Sequence, residues 1–169
     1  MTPIRHTRVK SGIRLDADGR FWHDGEEVLH PAIAWAWHRG LERAPDGRYL
    51  IRFGGDWAFV TVDDAPFVVR RAIPAGDELG LLLSNGEREP LRPETLARSS
   101  EGVLYCRLRG DHRARFSRQA QADLGPLLGE EDDRFFIRLA GSTWPVGENS
   151  GSPPPRPEDG PDRLDEFLA

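Results

Sequence analysis

The run Trp57 to Val62 constrains this chain more than any other. Trp57, Phe59 and Thr61 alternate with Ala58, Val60 and Val62, so both faces of an extended segment are largely apolar, and such a strand belongs in the middle of a sheet. It lies inside a longer stretch, Gly47 to Phe67, reading GRYLIRFGGDWAFVTVDDAPF. There a first strand-like run, Arg48 to Phe53, breaks at Gly54-Gly55-Asp56 before Trp57. The turn Asp63-Asp64-Ala65-Pro66 then delivers a further strand, Phe67 to Ile73.

Around this centre the turn chemistry predicts more sheet. Ile13 to Asp16, Arg20 to His23 and Glu26 to Leu29 read as a meander broken at Asp18-Gly19 and Asp24-Gly25, because Asp-Gly supplies the positive φ of tight hairpin turns. Leu79 to Ser84 and Glu87 to Leu91 form a hairpin around Asn85-Gly86. Val103 to Arg109 and His112 to Phe116 form another around Gly110-Asp111. Pro93 to Glu101 is loop-like with one helical turn. Two helices are expected. The first is His30 to Arg43, opened by Pro31, with Ile33, Trp37 and Leu41 at spacing four as its buried stripe and Trp35 on the opposite face. The second is capped by Ser117 and runs to about Leu128.

The 169 residues suffice for one ordinary domain, and 38% apolar with 30% charged residues is a soluble globular profile. No apolar run approaches a membrane span, and no secretory signal follows the basic start MTPIRHTRVK. A lone Cys106 rules out an internal disulfide and a multi-thiolate metal site, and a reducing, cytoplasmic setting is the default. The net charge of -5 is concentrated at the end of the chain, leaving a near-neutral body without the basic stripe that nucleic acid requires. Residues 1–11 read as a flexible basic arm and 12–146 as a single α+β domain. Residues 147–169 read as a disordered, acidic, proline-rich tail. That tail ends in a short docking motif, Leu164, Phe167 and Leu168, which a helical turn would place on one side.

A six-residue run recurs. Arg48-Tyr49-Leu50-Ile51-Arg52-Phe53 parallels Arg134-Phe135-Phe136-Ile137-Arg138-Leu139, and each leads through glycine to a tryptophan, Trp57 or Trp144. Each is preceded by hairpin strands and a helix, so the expected architecture is antiparallel sheets with two helices in two related hairpin-helix-strand halves, about 12–73 and 77–146.

The order DADGRFWHDGEEV, helix, RYLIRF, WAFVTVDDAPF, Asn85-Gly86 hairpin, EPLR and VLYCRLRGDHRARFSR resembles the DUF1285 family of uncharacterised bacterial proteins. Asp64 to Phe67, Asp-Ala-Pro-Phe, is the most specific piece. The resemblance covers roughly Gly12 to Val146. It departs at Gly54-Gly55-Asp56 and at Glu89, where a histidine is expected before Pro90-Leu91-Arg92. It implies an α+β fold of two related halves and a link to signalling. The family has no established catalytic residues to carry over.

Chemistry-bearing residues are few. His23, His30 and His38 lack the spacing of metal ligands, and no metal or cofactor is expected. Asp63 and Asp64 are adjacent, so in extended chain they point apart; one capping the turn before Pro66 is the better reading. Cys106, between Tyr105 and Arg107, reads as packing. Arg107, Arg109, Arg113 and Arg115 lie on paired strands, where alternation could gather them into an anion-binding face. Trp35, Trp57, Asp64 and Phe67 are the other candidate ligand or partner contacts. These features point to a non-enzymatic cytoplasmic binding or regulatory module, with an unknown protein or small-molecule partner. The alternative is an enzyme on a small anionic substrate using the arginine face. A structural subunit held by its C-terminal motif would differ from the module mainly in its partner.

Overall fold

The structure is a computed structural model that describes residues 7–149 and 151–162. They form two compact units, residues up to 66 together with 152 onward, and residues 67–151.

In the first unit the meander forms as the Asp-Gly turns dictate: β1 (Ile13–Leu15), β2 (Phe21–His23) and β3 (Glu26–Glu27). Helix α1 (Pro31–Arg39) follows, then β4 (Leu41–Arg43), β5 (Tyr49–Phe53) and β6 (Asp56–Val62). The six strands form one sheet in the order β3-β2-β1-β6-β5-β4. Strand β6 is central, as its two apolar faces require. Phe59 and Val60 point to opposite faces and both are fully buried. Phe59 lies opposite Leu50 and packs with it and Ala44, while Val60 lies opposite Tyr49.

The α1 expectation needs correction. The helix ends at Arg39 rather than Arg43. The reason is Gly40: its backbone presses so closely on β5 that a Cβ there would lie 2.1 Å from the Arg52 carbonyl oxygen. The Arg52 N–H donates to the Gly40 carbonyl at 2.9 Å, and Leu41 leaves the helix to pair with Ile51. The stripe Ile33-Trp37-Leu41 is therefore cut. Ile33 is 44% exposed, and the one buried helical residue is His38, stacked 4.6 Å from the Phe21 ring.

The second unit opens with β7 (Phe67–Ala75), β8 (Glu78–Leu83) and β9 (Arg88–Pro90). Asn85 shapes the β8–β9 turn, its side-chain oxygen accepting from the Glu87 N–H at 3.1 Å. Strands β10 (Ala97–Arg98), β11 (Leu104–Arg107) and β12 (Arg113–Phe116) come next. The Ser117 hydroxyl caps α2 (Arg118–Leu124), accepting from the Ala120 N–H at 3.1 Å. The chain then makes β13 (Leu128–Glu131), β14 (Arg134–Leu139), β15 (Ser142–Pro145) and β16 (Gly147–Glu148). One sheet has the order β16-β10-β11-β12-β7-β8-β9, and β13-β14-β15 form a separate three-stranded sheet.

The class is α+β, but the sheets are mixed rather than purely antiparallel. The pairs β1·β6, β7·β12 and β10·β16 are all parallel. Turn signals reveal antiparallel neighbours joined by a hairpin, whereas a parallel pair joins segments far apart in the chain and leaves no local mark. Hairpin, helix and three-stranded meander follow one another in both units, as β1 to β6 and as β11 to β15. Their sheets differ, since β6 pairs with β1 whereas β13-β14-β15 stand as a sheet of their own.

The composition of the C-terminal segment predicts free chain, yet residues 152–162 are laid onto the first unit as a strap. Pro157 is buried there, and its carbonyl accepts from Nη1 of Arg48 at 2.8 Å. The motif at Leu164, Phe167 and Leu168 lies outside the described residues. No helix among the described residues is long and apolar enough to cross a membrane.

Candidate functional site

The residues singled out from sequence are scattered. In the first unit, Trp35 on α1 is 46% exposed, with the Arg39 guanidinium 6.0 Å from its ring. Trp57 is not an open contact surface. Its ring meets Phe59 edge-on at 5.3 Å and is covered by the Arg8 guanidinium at 4.2 Å. Arg8 also donates to the Trp57 carbonyl and, at 2.8 Å, to Asp56. Asp63 takes the Arg14 guanidinium while its N–H donates to Leu15 at 2.9 Å. Asp64 is half-buried in the turn leading to Pro66.

Phe67 opens β7 inside the second unit. It is buried, with its ring 5.2 Å from that of His112, so it is a packing residue and not a contact residue. The four arginines do not assemble into an anion-binding face either. The β11–β12 register sets Arg107 opposite Arg113 and Tyr105 opposite Arg115, which does put three of them on one face. But Arg113 is buried with its guanidinium 4.1 Å over the Tyr105 ring. Arg107 turns to Asp111, donating to its carbonyl at 3.3 Å. Arg109 sits in the connecting turn, its N–H held by Glu89 at 3.1 Å. Aromatic stacking thus takes Arg113 and the turn takes Arg107, so the four guanidinium groups do not present one common surface.

Cys106 projects to the other face of β11 and is buried. Burial, reinforced by the negative charge of Glu89, pushes its thiol up to about 12, which suits packing and not a thiolate nucleophile. His38 is a core group on Phe21, His30 precedes α1, and His23 sits 3.7 Å from Asp24. Among the described residues no three His, Cys, Asp or Glu side chains are grouped to hold a metal ion.

What the second unit does bring together was not singled out from sequence. Segment 146–149 ties its two sheets: the Val146 N–H donates to Phe135 of β14, and the Gly147 and Asn149 N–H groups donate to Leu96 and Arg98, each at 2.9 Å. Two clefts adjoin it, of about 270 Å³ and about 530 Å³, and Arg98, Phe135 and Val146 line both. The Arg98 guanidinium lies 4.2 Å over the Phe135 ring. The backbone of Gly102 also lies close to the guanidinium, where a Cβ would stand 3.2 Å from Nη2. Gly102 has φ of +85°, as the turn from Ser99 requires. The Gln121 amide fixes this loop, donating to the Gly102 carbonyl at 3.3 Å and accepting from the Leu104 N–H at 3.1 Å. Among the described residues no carboxylate forms an ion pair with Arg98. An oriented guanidinium with its in-plane donors unspent is suited to a planar or tetrahedral anion. The one sequence signal was Phe135 within the recurring RFFIRL run, which marked a strand and not a cleft.

The arrangement defines a class: an α+β protein of two mixed-sheet units, one with an arginine-lined cleft. Its fold is shared with solved proteins of the DUF1285 family, in agreement with the resemblance carried by Asp64 to Phe67. A DUF1285 family protein from Silicibacter pomeroyi DSS-3 superposes with a TM-score of 0.64 at 23% identity, over 82% of this chain and 80% of that one. A second, from Shewanella baltica OS155, gives 0.51 at 18% identity, over 64% of this chain and 85% of that one. No family model matches the sequence, and no curated protein matches it.

Proposed function

We propose that the protein is a non-enzymatic cytoplasmic binding module with a regulatory role, and that its ligand seat is the cleft of the second unit around Arg98 and Phe135. One observation carries this reading: the Arg98 guanidinium is stacked 4.2 Å over Phe135 on a wall common to two clefts. Stacking fixes the plane of the guanidinium, so the entropy of orienting it is spent in folding and not in binding. The ligand class is a small anion, carboxylate or phosphate, with an apolar portion to lie along Phe135, Val146 and Leu104. An enzyme on a small anionic substrate would use the same anion seat. Cys106, buried and held protonated, would not be its nucleophile.

The test is heteronuclear NMR of the full chain titrated with inorganic phosphate and with benzoate. Saturable shifts at Arg98, Gly102, Gln121 and Phe135, lost in Arg98→Gln, are expected. Shifts absent from these residues, or unchanged in Arg98→Gln, would refute the assignment.

A further inference from the structure

Arg48 opens β5's approach from the Gly47 turn and is fully buried, 0% exposed, an unusual place for a guanidinium. Its neighbours account for most of it. Nε donates to Asp46 at 2.7 Å and Nη1 to the Pro157 carbonyl at 2.8 Å. One face lies 3.8 Å over the Phe59 ring. The other face is closed by Gly160, where a Cβ would stand 2.5 Å from the guanidinium carbon. Nη2, buried with the rest, has no hydrogen-bond partner among the described residues.

The strap that closes this seat is lightly held. Of residues 152–162 only Pro157 is buried. Beyond the Arg48 bond, Asp162 accepts from the Val9 N–H at 2.6 Å. Asp159 caps the strap's own short turn by accepting from the Arg156 N–H at 2.8 Å. No strand pairing joins it to the sheet. A segment with one buried side chain and few bonds opens at far lower free energy than the sheet beneath it. It also reads as a bound peptide: proline-rich and turned through a short 3-10 helix at Pro157–Asp159, with one buried proline, a carbonyl on an arginine and a glycine against an aromatic-backed cation.

We propose that residues 152–162 are a cis-bound peptide ligand of the first unit, and that the seat over Arg48 and Phe59 takes a proline-rich acidic segment of a partner protein, turned as the strap is at Pro157–Asp159, when the strap lifts. The chemistry of that segment follows from the contacts present. A proline carbonyl meets Nη1, and a residue without a side chain lies on the guanidinium. A carboxylate within reach of Nη2 supplies the acceptor that the strap leaves out, so a partner can outbind it despite the strap's high effective concentration. The seat lies wholly in the first unit, so this inference stands independently of the anion cleft.

The experiment uses the full chain and a labelled synthetic peptide of residues 152–162. Gly160→Val fills the space above the guanidinium and should release the strap, read as faster amide hydrogen exchange across 152–162. The peptide should then bind Gly160→Val tighter than the unsubstituted protein by roughly ten-fold or more, because no tethered competitor remains. The Gly160→Val version of the peptide should bind neither. If Gly160→Val fails to fold, Gly160→Ala serves, since the Cβ alone occupies the contested space. Unchanged exchange, equal affinity for both proteins, or no binding to the released form would each overturn the proposal.

Discussion

Asp123 on α2 grips Arg71 on β7 with both carboxylate oxygens, at 2.8 Å to Nε and 3.2 Å to Nη2. The same carboxylate accepts from the Ala72 N–H at 3.0 Å. The pairing of β7 with β8 shifts register between Val69 and Arg71, and this irregularity is where the helix is fastened to the sheet. The Arg71 guanidinium, with the Ala72 N–H, holds the Asp123 carboxyl down at about 2. A depressed carboxylate contributes stability above its ordinary value, and the contribution fades as pH falls through the folded value. Asp123→Asn should therefore lower the melting temperature at neutral pH. The gap from the unsubstituted protein should begin to shrink below pH about 4 and be largely gone near pH 2. Thermal melts across that range check it; a gap independent of pH would show that the ion pair does not fasten the helix.

Gly40 is the point where α1 is stopped. Gly40→Ala places a methyl group 2.1 Å from the Arg52 carbonyl oxygen, and backbone must move to admit it. A loss of about 1–3 kcal/mol in urea unfolding is expected, against the modest gain that Gly→Ala gives where the space is free. A neutral or stabilising result would mean that α1 and β5 are not in close contact.

Cys106 should be silent to thiol reagents. With its thiol pushed up to about 12, almost no thiolate exists at pH 8, and burial denies access. Ellman's reagent should report no reaction in the native protein and one thiol after denaturation. Prompt native labelling would contradict the packing around β11.

Trp35 stands 46% exposed on α1. Trp35→Ala should change stability by less than about 1 kcal/mol, and acrylamide should lose a component of its fluorescence quenching in the variant. A loss above about 3 kcal/mol would identify a core residue instead.

Much of the architecture was legible where local chemistry decides it. The Asp-Gly and Asn-Gly turns marked hairpins because few residues adopt positive φ there, and the doubly apolar run at Trp57 marked the central strand. Ser117 announced its helix through a cap that forms as expected. The failures share a cause. Ile33, Trp37 and Leu41 have helical spacing, yet Gly40 and its neighbour Arg52 end the helix, and Arg52 lies 12 residues away in sequence. The arginines alternate correctly, yet Tyr105 and Asp111 claim two of them. Phe67 sits in the most specific motif for packing reasons. Arg98 and Arg48 were invisible, because each is defined by residues brought from far along the chain, Phe135 for one and Pro157 for the other.

The first unit is a discontinuous domain, and this gives its assembly a clock. A nascent chain emerging from the ribosome completes β1 to β6, then makes all of the second unit before the strap exists. Arg48 waits for a partner 109 residues downstream. At ~5–20 residues per second of synthesis that wait is roughly 5–20 s, during which the guanidinium side that the strap later covers stands open to whatever the cell presents.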